Sequence, residues 1–69
     1  MTKLYAVWVP AEAEHEKDIC KEVMTNPSYT EAIVEGNPFG TCLRFTSDAE
    51  HGDVLRAKWP QFEWKEWES

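Results

Sequence analysis

His15 stands between Glu14 and Glu16, and His51 follows Glu50 with Asp53 two residues on. A histidine beside a carboxylate can move protons as a general acid–base pair. With three or four convergent ligands it could instead hold zinc. The spacing enforces neither. Only two cysteines are present, Cys20 and Cys42, and they form no C-x-x-C pair. No nucleophile motif and no glycine-rich phosphate loop occurs. No catalytic residue, metal ligand or cofactor is therefore assigned. Two placements sustain an enzymatic alternative: Glu16 falls on the apolar stripe of its expected helix, and His51 lines up with Val54 and Leu55. Together with Trp8 they would form the site of a small enzyme or ligand-binding domain.

A second constellation is electrostatic. Glu14, Asp18 and Glu22 are spaced by four, which on a helix makes one stripe with carboxylates about 6 Å apart. Such a ladder can imitate a phosphate backbone and occupy a nucleic-acid-binding protein, although Lys17 and Lys21 flank it. The net charge of −6, from thirteen acids against seven bases, excludes direct nucleic-acid binding as the expected activity. It suits a protein partner with a basic surface.

The third constellation is aromatic. The chain closes on WPQFEWKEWES. Read as a strand, this puts Phe62 and Trp64 on one face and Glu63, Lys65 and Trp67 on the other. In KLYAVWV, Tyr5, Val7 and Val9 form the inward set, which sends Leu4, Ala6 and Trp8 outward. In TCLRFTS, Leu43 and Phe45 point to the core while Cys42 and Arg44 point away. Leu4, Trp8, Arg44 and Trp67 are accordingly expected to form a partner-binding surface. Two indoles and a leucine in one patch would expose on the order of 400–500 Å², large for a monomer.

The elements that must position these residues fit one domain over residues 1–69. A chain this short buries only about 60% of its unfolded surface. KLYAVWV predicts a strand over 3–9. Pro10 suits the first turn of a helix running from Ala11 to Thr25, stopped by Asn26-Pro27. NPFG (37–40) predicts a turn joining strands 29–36 and 41–46. Ser47 with Glu50 reads as a capping box opening a second helix that ends near Trp59-Pro60. Gln61 to Glu68 supplies the last strand. The expected class is α+β in the order β-α-β-β-α-β: a split βαβ, ferredoxin-like antiparallel sheet with both helices on one face. The alternative makes SYTEAIV helical and leaves three strands. The apolar run near the N-terminus is too short for a signal sequence or a membrane span, so a cytoplasmic protein without membrane contact is expected.

That layout resembles the dimeric α+β barrel group, whose domains pair sheet to sheet and whose usually longer members include small oxygenases and isomerases. The resemblance covers topology alone. It implies the alternative of a homodimeric enzyme or ligand-binding domain and assigns no catalytic residue. In size and charge the chain also resembles phage-encoded inhibitors of host enzymes. The function expected from the residues is a small acidic, non-enzymatic protein-binding module. It would act as an inhibitor of a nucleic-acid-binding host protein, through the aromatic sheet face and the acidic helix, with a homodimer as a further possibility.

Overall fold

The computed structural model describes residues 2–68. Its elements are β1 (Thr2–Pro10), α1 (Glu16–Thr25), β2 (Thr30–Asn37), β3 (Gly40–Asp48), α2 (Ala49–Lys58) and β4 (Glu63–Glu68). The hairpin forms where the turn residues demand it. Asn37 Oδ1 accepts hydrogen bonds from the backbone N–H of Phe39 at 2.8 Å and of Gly40 at 3.1 Å, the self-capping that makes asparagine a turn residue. Gly40 is also a steric requirement. A Cβ there would lie 2.6 Å from the Val9 carbonyl oxygen and 2.7 Å from the Trp8 ring.

Both helices begin later than their sequence signals suggest. Pro10 is the last residue of β1, paired with Gly40, rather than the first turn of a helix. A strand end tolerates its missing N–H equally well. Residues 11–15 then form turns, with the Ala11 N–H donating to Phe39 O and the Ala13 N–H to Pro10 O. In α2 the N-cap is Asp48. Ser47 remains on β3, nearly fully buried, with its hydroxyl donating to the Asp48 carbonyl.

The four strands lie in the order β2-β3-β1-β4, and every neighbouring pair is antiparallel. This corrects the split βαβ, ferredoxin-like expectation. Helix makes up only 30% of the chain, less than that layout requires. The helical layer is thin because residues 11–15 go into turns and each helix keeps ten residues. What stands is a small α+β domain: a four-stranded antiparallel sheet with two helices.

The core joins Tyr5, Val7, Val9, Leu43 and Phe45 from the central strands to Ile19 and Val23 of α1 and Leu55 of α2. Phe45 is its hub. It stacks on Tyr5 at 5.4 Å and meets Tyr29 edge-on at 5.1 Å and Trp64 at 6.4 Å. Phe62 is buried just ahead of β4, whereas Trp64 is only half-buried and donates its Nε1–H to the Trp59 carbonyl at 2.8 Å.

Burial pushes the Tyr5 phenol up to about 12, helped by the Asp53 carboxylate that accepts its hydroxyl at 3.2 Å. Tyr29 is raised as well, again chiefly by burial. A raised folded value means the fold favours the neutral phenol. The stabilisation is therefore complete below the unfolded value of about 10 and is lost as pH climbs from there towards 12. For Tyr5 it is on the order of 2–3 kcal/mol. Alkaline titration is expected to show tyrosinate absorbance rising together with loss of near-ultraviolet circular dichroism. Ordinary phenol titration with the dichroism intact would contradict this.

Candidate functional site

The face of the sheet away from the helices is built by strict alternation. On β1 the outward residues are Leu4, Ala6 and Trp8. Leu4 lies between Thr46 and Trp67, Ala6 between Arg44 and Lys65, and Trp8 between Cys42 and Glu63. On β2, Ile33 sits beside Arg44 and Glu35 beside Cys42. Three cross-strand rows result, about 6.7 Å apart along the strands. Arg44 and Glu35 form an ion pair within the face. Leu4 is 38%, Trp67 49% and Ile33 52% exposed, and no element among the described residues covers them.

All four residues expected at the partner surface, Leu4, Trp8, Arg44 and Trp67, lie on this face. They do not form one patch. Trp67 pairs with Leu4 at one end, while Trp8 lies two rows away, about 13 Å along the strand, with its ring against Gly40. Lys65 and Ala6 occupy the row between them. The apolar surface is thus a diagonal with a polar centre.

Ile33 was missed from sequence because β2 does not alternate evenly. Its pairing with β3 slips between Thr30 and Ile33, and Glu31 adopts a left-handed φ of 54°. This is a bulge, which transfers every residue before it to the other face. Counting back from the turn would have found Ile33: Asn37 opposes Gly40, and so Ile33 opposes Arg44. Phe39, 80% exposed at the hairpin tip, was missed too. Its position within the NPFG turn was the available signal.

The acidic stripe is not assembled as the helical spacing suggested. Glu14 precedes α1 and lies off the helix. Asp18 is held by His15 Nδ1 at 3.0 Å, and Glu22 by Lys58 of α2 at 2.9 Å. These carboxylates serve the start of α1 and the joint between the helices. Asp48 and His51 repeat the arrangement at the start of α2 at 2.7 Å, and the hydrogen bond from His51 holds Asp48 below its ordinary value.

The enzymatic constellation is dispersed. Glu16 accepts a hydrogen bond from Thr41 near the start of β3, and His51 binds Asp48 at that strand's far end. Some 23 Å of strand separates the two, and Trp8 lies on the opposite face. Among the described residues, no group of three or more His, Cys, Asp and Glu could hold a metal ion. A hollow of about 460 Å³ between α2 and β4 is lined by Asp53, Arg56, Pro60, Phe62 and Trp64. Its charged walls are already engaged, Arg56 with Glu66 at 3.2 Å and Asp53 with Tyr5. Compared with known proteins, the chain matches no family model, no curated protein and no solved structure.

Proposed function

We propose that this chain is a non-enzymatic protein-binding module whose binding surface is the open sheet face. The observation that carries this reading is the exposure of Leu4, Ile33 and Trp67 on a face that no other element among the described residues covers. Apolar side chains on one flat surface, rimmed by charge, are the usual marks of a protein interface. The acidic stripe is left out of this reading, because two of its three carboxylates are held within the chain and the third lies off the helix. No described helix is long and apolar enough to cross a membrane. A cytoplasmic setting belongs to the proposal and is supported by two unpaired thiols, Cys20 and Cys42.

The test is a pair of substitutions that change the face and spare the core, Ile33→Ser with Trp67→Ser. Immobilised wild type is expected to retain a protein partner that the variant fails to retain. Exposed positions cost little, so the variant should keep its circular dichroism and lose no more than about 1 kcal/mol of stability. A folded variant that binds as well as wild type would refute the reading.

A further inference from the structure

We infer that the occupant of the open sheet face is a second copy of this chain, docked face to face about a two-fold axis. The inference rests on the reading above and adds the identity of the partner.

Charge singles out this face. Its interior balances Lys65 and Arg44 against Glu63 and Glu35. Removing those pairs from thirteen acids and seven bases leaves eleven against five. Of that remainder Glu31 reaches the edge of the face, accepting a hydrogen bond from Thr46, so most of the charge of −6 lies elsewhere on the molecule. Two like-charged chains repel on any approach through their acidic surfaces. The balanced sheet face is where that repulsion is least. A strongly basic partner, by contrast, would find its complement away from the sheet face.

Area is sufficient. Four strands about 4.8 Å apart, of nine, eight, nine and six residues, give a footprint of about 500 Å² per copy, hence about 1,000 Å² for the pair. This reaches the roughly 1,000 Å² that separates specific contacts from incidental ones.

The pattern is also self-complementary along β1 and at Lys65 and Glu63 of β4, as an isologous interface requires. An axis running across the strands, between the Ala6 row and the Trp8 row, keeps each strand over its own copy and reverses the rows. Lys65 of each copy then opposes Glu63 of the other, and the large Trp8 opposes the small Ala6. Leu4 meets Pro10. Strands cross near the aligned angle of packed sheets.

The register makes the test specific. Wild type is expected to show a concentration-dependent dimer by sedimentation equilibrium, with tryptophan emission shifting to the blue as it forms. Lys65→Glu and Glu63→Lys should each weaken the dimer at least about tenfold, since each sets like charges against one another in both symmetry-related contacts. Combining the two should restore it to within about threefold of wild type. Neither position is buried, so circular dichroism should stay unchanged throughout.

Failure of the double exchange to restore association would overturn the inference. So would a chain that stays monomeric at millimolar concentration. If such a monomer still retains a partner that Ile33→Ser with Trp67→Ser loses, only the second copy is refuted and the binding face stands. A dimer indifferent to all these substitutions would place the contact elsewhere and refute both.

Discussion

Gly52→Ala is expected to destabilise the protein by about 3 kcal/mol or more, although alanine is ordinarily about 1 kcal/mol better than glycine inside a helix. The reversal comes from Tyr5. A Cβ on Gly52 would lie 2.2 Å from Tyr5 Cε2 and Cζ and 2.5 Å from its hydroxyl oxygen, far inside contact distance. Tyr5 is fully buried, stacked on Phe45 and hydrogen-bonded to Asp53, so the ring has no vacant direction in which to retreat. A domain of this length has a total stability of only about 3–10 kcal/mol. Chemical denaturation followed by circular dichroism should show either a much lower midpoint or no cooperative transition. The pair can be tested as a unit: in a Tyr5→Leu background the alanine should cost far less, because the ring it collides with is absent. An alanine variant as stable as wild type would show that α2 does not sit on Tyr5.

Phe45→Ala should cost about 3–5 kcal/mol, the range for emptying a buried aromatic site. Three ring contacts disappear with Phe45, and each aromatic pair is worth about 0.5–1.5 kcal/mol beyond its buried area. The cavity would open where β1, β3, α2 and the Tyr29 turn converge, so no neighbour can close it by moving alone. Equilibrium unfolding in urea measures the effect. Phe45→Leu is the useful companion if the alanine variant does not fold. It should fold with a lower midpoint and a similar slope. Trp67→Ala, a larger deletion on the open face, should by comparison shift stability by no more than about 1 kcal/mol. An equal cost for Trp67 and Phe45 would mean that the core and the open face had been interchanged.

Much of the architecture was legible because its signals are local. Alternation in KLYAVWV separated Tyr5, Val7 and Val9 from Leu4, Ala6 and Trp8, and the structure buries the first set almost completely. The NPFG turn carries its own hydrogen-bonding group in Asn37. Element ends were less legible, because a proline or a serine satisfies more than one position. Pro10 suits a strand end as well as a helix start, and Ser47 proved to be buried strand with Asp48 as the cap.

Where the reading depended on distant partners, it failed or was incomplete. A helical wheel for Glu14, Asp18 and Glu22 presumed a helix beginning before Glu14. It could not show that Lys58, thirty-six residues away, would hold Glu22. The ferredoxin-like layout required a strand order and a fuller helical layer that only the assembled sheet could decide.

By itself, the sequence determined which side chains alternate, where the hairpin turns, and that the class is α+β. These follow from backbone sterics and side-chain period, which act within a few residues. Tertiary structure alone decided that Trp8 and Trp67 stand at opposite ends of the open face and that Ile33 joins it through a bulge. It also decided that Gly52 carries the Tyr5 ring and that the interior of this face is electrically balanced. Each of these depends on strand register or on how α2 packs on the sheet, and both are set by contacts between residues far apart in the chain.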